Sequence, residues 1–243
     1  MARRFATVGT SRIVYDSALV NPVDESLFDP DAWPDALVAP EYSGGRGKTL
    51  FISKGEHDWV LRHYHRGGLV GRWLNDTYFW VGDSQTRPFR EWLLLERLVE
   101  MGLPVPRPVA GCFVRRGAVY TADLITVRIP STVPFSHRWI AGALEPDAWR
   151  RVGELVGRFH GSRVYHADLN AHNIQIDDHD DLFLLDFDRG RIMPGAGAWM
   201  ERNLDRLRRS LQKIGQTNDF ALKDQDWNRL LNGYRRTLKA RVQ

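Results

Sequence analysis

Two periodicities partition this chain. Between residues 49 and 64 apolar and polar positions follow the period of a strand. Thr49-Leu50-Phe51-Ile52 and Asp58-Trp59-Val60-Leu61-Arg62-His63-Tyr64 read as a strand pair, with residues 53–57 as the turn. A helical period takes over at residues 87–101, where Trp92, Leu95, Leu98 and Val99 recur on one face. Gly102-Leu103-Pro104-Val105-Pro106 ends that helix and opens an extended run. Residues 120–126 read as the last strand before a proline-containing stretch. Further on, Ile174-Gln175-Ile176 and Leu182-Phe183-Leu184-Leu185 flank the polar turn Asp177-Asp178-His179-Asp180-Asp181, which predicts a β-hairpin. From Trp199 onward Leu204, Leu207, Leu211 and Ile214 form a helical stripe, and a second helix is predicted over residues 227–241. This order predicts an α+β chain divided near Thr126. Residues 1–126 would form an antiparallel-sheet small lobe, and residues 127–243 a mainly helical large lobe.

Composition supports a folded chain. Of 243 residues, 43% are hydrophobic and 11% aromatic, enough for a buried core. No apolar run approaches the length of a membrane-spanning helix, and residues 1–7 lack the apolar core of a secretory signal. Cys112 is the single cysteine and cannot form an internal disulfide, so a cytoplasmic compartment is expected. The net charge of +4 is uneven: residues 199–243 carry eleven Lys and Arg against five Asp and Glu. Arg202, Arg206, Arg208, Arg209 and Lys213 share the helix with the leucine stripe. Either basic helix can rest on an anionic membrane face, or its stripe can pack in the large lobe and leave the charges solvated.

Chemistry concentrates in one strip. His166-Ala167-Asp168-Leu169-Asn170-Ala171-His172-Asn173 fits the kinase catalytic-loop pattern H-x-D-L-x-x-x-N, and Asp186-Phe187-Asp188 begins like its D-F-G partner. Phosphoryl transfer from a nucleotide needs this set. Asp168 would accept the proton of an attacking hydroxyl, while Asn173 and Asp186 would hold magnesium against the triphosphate. The hairpin explains the spacing, because Asn173 opens its first strand and Asp186 closes its second. His166 reads as a loop brace rather than a base. His160, His166, His172 and His179 form no zinc spacing.

The first half supplies the parts that should hold a nucleotide. Residues 43–48 are glycine-rich, and the backbone at Gly44, Gly45 and Gly47 can fold over phosphates. Tyr42 occupies the position where a P-loop needs glycine, and a full G-x-G-x-x-G is absent. Arg62 takes the place of the phosphate-binding lysine of V-A-I-K. Its partner is expected to be Glu91, with Glu96 as the alternative. Residues 120–126 are the expected hinge, where backbone groups of Asp123 to Ile125 would meet the adenine edge. A basic loop follows Arg62. Its Arg66 and Arg72, with Trp73 and Trp80, can grip an anionic, partly apolar substrate or simply cover the small lobe. No nucleic-acid reader motif accompanies that charge, so no nucleic-acid partner is expected.

Asp188 is followed within eleven residues by a helix, leaving no A-P-E and no long peptide-docking segment. Ala167 replaces the arginine that pairs with phosphorylated activation segments. A small or lipid-linked acceptor fits better than a peptide. The chain resembles the 3-deoxy-D-manno-octulosonic acid (Kdo) kinases of lipopolysaccharide assembly, relatives of the core heptose kinases and of protein-kinase-like folds. The stretches that carry the resemblance are Trp59 to Tyr64 with Arg66-Gly67-Gly68-Leu69-Val70, Gly102 to Pro106, the catalytic strip and Asp186-Phe187-Asp188. The resemblance implies a two-lobed protein-kinase-like fold and ATP- and Mg2+-dependent phosphorylation of the 4-hydroxyl of Kdo on a Kdo-bearing lipid A precursor (Kdo-lipid IVA). It implies Asp168 as the base and Asn173 and Asp186 as metal ligands, at the cytoplasmic face of the bacterial inner membrane. Asp188 departs from the glycine of D-F-G, and its role stays open. The alternatives are another small-molecule kinase, for a heptose or an aminoglycoside, or a catalytically silent membrane-binding module. Surplus arginines speak against a polycationic acceptor, and the intact Asp168, Asn173 and Asp186 against a silent module.

Overall fold

A computed structural model describes residues 1–39, 49–65 and 76–242. Gly44, Gly45 and Gly47, and the loop containing Arg66, Arg72 and Trp73, lie outside the described residues. The chain forms two compact units. One comprises Met1–Glu100 with Pro106–Ile129, the other Met101–Val105 with Pro130–Gln243.

Among the described residues the first unit is built on an eight-stranded sheet and an α-helix. Its strands are β1 (Arg3–Val8), β2 (Ser11–Asp16), β3 (Leu37–Val38), β4 (Thr49–Lys54), β5 (His57–His63), β6 (Tyr78–Phe79), β7 (Pro108–Arg116) and β8 (Val119–Val127), and its helix is α1 (Arg87–Glu100). Their order is β1-β2-β7-β8-β5-β4-β3, with β6 paired to β8, and every pairing is antiparallel. The β4–β5 pair and α1 stand where the periodicities place them. The β1–β2 hairpin does not announce itself, because β1 is largely exposed and carries little apolar alternation. Its two-residue turn uses Gly9 at φ +53°, a conformation glycine adopts without steric cost. Trp59, Ile13, Val109 and Ile125 are wholly buried in the sheet core. Trp92, Leu95 and Leu98 of α1 are buried as well, and Phe89 meets Phe113 of β7 edge-on at 5.2 Å. Gly111 lets α1 approach closely, since a Cβ there would lie 3.1 Å from the Pro88 carbonyl oxygen.

The hinge expectation is corrected. Asp123, Leu124 and Ile125 lie inside β8, paired to His63, Arg62 and Leu61 of β5 on one side and to Cys112, Gly111 and Ala110 of β7 on the other. A strand flanked on both edges has its backbone groups committed to the ladder, so these residues do not supply an adenine edge. The Asp123 carboxylate pairs instead with His63 Nδ1 at 2.7 Å. The chain passes into the other unit at Met101–Val105, returns at Pro106 and leaves for the last time after Ile129.

The second unit contains β9 (Val133–Pro134), α2 (Phe135–Ile140), α3 (Ala148–Gly161), β10 (Val164–Tyr165), β11 (Ile174–Ile176), β12 (Leu182–Leu184), β13 (Arg191–Ile192), α4 (Trp199–Thr217) and α5 (Asp224–Val242). Helices α3 and α5 touch backbone to backbone. A Cβ on Gly153 would fall 1.9 Å from the Leu230 carbonyl oxygen, and one on Gly233 would fall 2.1 Å from that of Arg150. The stripe of α4 (Leu204, Leu207, Leu211, Ile214) is buried, so α4 has no apolar face to insert into lipid. Arg202, Arg208, Arg209 and Lys213 are on its exposed surface. Among the described residues no helix is long and apolar enough to cross a membrane.

Candidate active site

Antiparallel strands β11 and β12 pair Ile174 with Leu184 and Ile176 with Leu182. The Leu185 N–H donates to the Asn173 carbonyl at 2.9 Å, so the ladder extends one step beyond both strands. Asn173 therefore stands opposite the residue that precedes Asp186. The ladder stops before Asp186, whose φ of +62° turns the chain away. Such a backbone is uncommon outside glycine and is tolerated best by Asn and Asp. The Asp188 N–H donates back to Asp186 Oδ1 at 3.4 Å, bracing the turn. Phe187 between them is fully buried and stacks on Phe159.

The loop before β11 is stitched by amides. Asn170 Oδ1 accepts the N–H groups of His172 and Asn173 at 2.9 and 3.0 Å. The side-chain amides of Asn170 and Asn173 donate to the Asp168 carbonyl at 3.1 and 2.9 Å. With its nitrogen anchored this way, Asn173 keeps Oδ1 as the atom to offer a cation.

His166 is a brace. Its Nδ1 accepts the Asp168 N–H at 3.2 Å, so Nε2 carries the proton and donates to the Leu185 carbonyl at 2.9 Å. One neutral ring thus clips the catalytic loop to the end of β12. Burial holds its pKa below the ordinary value, against the opposing pull of the Leu185 carbonyl.

Behind it runs a buried relay that the sequence did not disclose. The Asn203 amide donates to the His166 carbonyl at 2.8 Å, and Asn203 Oδ1 lies 3.3 Å from His160 Nε2. Oδ1 can only accept, so Nε2 is the donor and His160 Nδ1 accepts from the Tyr234 hydroxyl at 3.0 Å. Burial pushes His160 down to about 4 and Tyr234 up to about 12, which keeps both neutral. Helices α3, α4 and α5 each contribute one member to this support.

Asp168 is partly exposed, and its Oδ1 accepts from Nε of Arg206 at 2.9 Å and also from Nη2. Among the described residues Oδ2 accepts no hydrogen bond. The pairing spans 38 residues, and nothing local in the sequence signals it. His172 Nδ1 pairs with Ser136 Oγ at 2.8 Å and takes no part in this cluster.

In the first unit Arg62 and Glu91 meet. Nη2 of Arg62 lies 2.6 Å from both Glu91 oxygens, and the Tyr64 hydroxyl donates to Glu91 Oε2 at 2.5 Å. Glu91 is 3% exposed. Glu96 is engaged elsewhere, with Arg3 at 2.7 Å. Trp80 lies under the Arg115 guanidinium at 3.5 Å.

Among the described residues no group of three or more His, Cys, Asp or Glu can hold a metal. Magnesium beside phosphates does not require one. It takes one or two protein oxygens and completes its shell from phosphate and water. Asn173 Oδ1 and the Asp186 carboxylate are hard oxygen donors on neighbouring ends of one hairpin, and that donor set fits.

The lipopolysaccharide kinase (Kdo/WaaP) family model matches residues 32–234. A protein of Xanthomonas euvesicatoria pv. vesicatoria named 3-deoxy-D-manno-octulosonic acid kinase is 40% identical over 227 residues, 93% of this chain and 90% of the relative. One of the same name from Xylella fastidiosa is 38% identical over 222 residues, 91% and 88% of the two chains. Among solved structures, the bifunctional kinase-methyltransferase WbdD aligns at 16% identity with a TM-score of 0.43, over 85% of this chain and 47% of its own length. With a kinase-type catalytic strip on a hairpin, and near-full-length relatives of this identity, the chain belongs to the lipopolysaccharide kinase (Kdo/WaaP) family.

Proposed function

We propose that this protein transfers the γ-phosphoryl group of ATP to a hydroxyl of 3-deoxy-D-manno-octulosonic acid, the 4-hydroxyl of Kdo on a Kdo-bearing lipid A precursor. The observation that carries this reading is the fixed triad of oxygens in the second unit. One loop and one hairpin present Asp168, Asn173 and Asp186, in a chain 40% identical to proteins named as Kdo kinases.

The roles follow from the oxygens and the charge that each side chain carries. The carboxylate of Asp168, through Oδ2, accepts the proton of the acceptor hydroxyl as its oxygen forms the bond to the γ-phosphorus. The bond from that phosphorus to the bridging oxygen breaks, and ADP carries the electron pair away. Asn173 Oδ1 and Asp186 would hold magnesium, which when bound neutralises charge on the phosphate oxygens. Arg62, oriented by Glu91 and Tyr64, supplies a cation for the α- and β-phosphates. His166 keeps the loop in register with the hairpin.

The acceptor is a glycolipid, so the protein would work at the cytoplasmic face of the inner membrane. With its apolar stripe buried, α4 can contribute only charge. Each exposed cation near an anionic surface is worth about 1 kcal/mol. The function is tested by supplying ATP labelled at the γ-phosphate with Kdo–lipid A precursor, heptose-bearing core and an aminoglycoside in parallel. Label on the Kdo acceptor alone supports the proposal. Label on another acceptor reassigns the substrate, and label on none favours a silent binding module.

A further inference from the structure

The Arg206–Asp168 pair has no structural justification of its own. Both side chains are nearly half exposed, at 47% and 41%, and exposed ion pairs contribute little to stability. It also spends the Nε–Nη2 edge of a guanidinium on a single oxygen, Oδ1, and leaves Oδ2 clear. The other edge of Arg206, Nη1 with the second hydrogen of Nη2, makes no hydrogen bond among the described residues. That edge is the fork that grips a carboxylate through two parallel bonds.

The surroundings point the same way. On α4, residues 202, 206, 209 and 213 recur at i, i+4, i+7 and i+11, which places Arg202, Arg206, Arg209 and Lys213 along one narrow face. All four are exposed. The adjacent Ser210 accepts the Ala171 N–H at 3.2 Å, docking this stretch of helix against the catalytic loop. A row of cations therefore runs beside Asp168, and Arg206 is its member nearest the reacting position.

We infer that Arg206 is a specificity-determining residue that reads the carboxylate of a sugar-acid acceptor while Asp168 holds the hydroxyl to be phosphorylated. The inference rests on the reading of Asp168 as the hydroxyl's acceptor. An anion on the outer edge of Arg206 stands one guanidinium's width from the catalytic carboxylate, a separation that a single pyranose ring spans. A neutral sugar leaves that edge unmatched, so an acid is preferred over its uncharged analogue. The relatives named for an octulosonic acid act on a sugar that carries this group.

The experiment is a two-by-two comparison of kcat/KM. The wild-type protein and Arg206→Gln are each given a Kdo acceptor as the free acid and as its methyl ester. For the wild type the ester should cost roughly ten- to a hundredfold, the range of a charge-assisted hydrogen-bonded pair. Arg206→Gln should lose a similar factor on the acid and little more on the ester, because the interaction is already gone. Arg206→Lys, which keeps charge but not the fork, should retain part of the discrimination. Equal fractional losses on acid and ester would assign Arg206 to Asp168 alone and overturn the inference. If Arg206→Gln is too slow to assay, competition binding of acid against ester in the presence of ADP decides the same point. Discrimination that survives the substitution overturns the inference, and its loss supports it. Absence of transfer by the wild type to either form overturns the functional reading itself, and this inference with it.

Discussion

Acidification places a proton on His160 only by breaking the buried relay behind the catalytic loop. The ring is 1% exposed and neutral, with one nitrogen accepting from Tyr234 and the other donating to Asn203. Burial lowers its pKa from 6.5 to about 4. In the unfolded chain the same ring titrates near its ordinary value. Above pH 6.5 both states are neutral, and the neutral-state stability is fully present. As pH falls from 6.5 towards 4, the unfolded chain takes up a proton that the folded protein refuses. Stability is lost across that window and levels off below it. The full loss is about 3 kcal/mol, of which about 2 kcal/mol has gone by pH 5. His166 is shifted downward by burial too, so the wild-type curve alone does not isolate His160. Urea unfolding of the wild type and of His160→Gln at pH 7.5, 6.5, 5.5 and 5.0 does. The wild type should start more stable, and the gap should close by about 2 kcal/mol between the extremes. A gap that stays constant with pH would refute the buried, neutral assignment.

Further perturbations separate parts of the account. Gly153→Ala puts a Cβ 1.9 Å from the Leu230 carbonyl and should destabilise by about 3 kcal/mol or more in thermal or urea unfolding. Gly195→Ala, which meets nothing within 4 Å, should change stability by less than about 0.5 kcal/mol. Arg62→Ala removes the 2.6 Å ion pair from the buried Glu91 and should cost about 3 kcal/mol of stability along with ATP affinity. Adding Glu91→Leu should restore stability without restoring affinity, as measured by unfolding and nucleotide titration side by side. Sedimentation with anionic vesicles should fall as salt rises and fall further in the double substitution Arg202→Glu with Arg209→Glu. Salt-independent binding would contradict a purely electrostatic contact.

What could be read from the sequence depended on how local its cause was. The hairpin was legible because two short apolar runs flank an Asp-rich turn, and the same pattern fixes Asn173 and Asp186 at its two open ends. Arg62 and Glu91 were legible from a strand followed by a helix of clear apolar period, with Glu91 one turn inside it. The hinge was misplaced because nothing between Tyr120 and Val127 interrupts a strand. The two-sided pairing that commits Asp123 to Ile125 depends on β5 and β7, both distant in sequence. The α4 stripe could not declare its partner, since the same amphipathic pattern serves lipid and protein core alike. Arg206 was visible only as one cation among five. Its approach to Asp168 follows from how α4 docks, through Ser210 and Ala171. The His160–Asn203–Tyr234 relay likewise exists only once three helices meet.

The most direct measurement is the identity of the product. Kdo–lipid A precursor is incubated with ATP and magnesium, and the new phosphate is located by mass spectrometry and phosphorus NMR. The account predicts one phosphate on the Kdo 4-hydroxyl with the wild-type protein, and none with Asp168→Ala although that variant still binds ATP. An unmodified acceptor with the wild type, or an equal yield with Asp168→Ala, would contradict it.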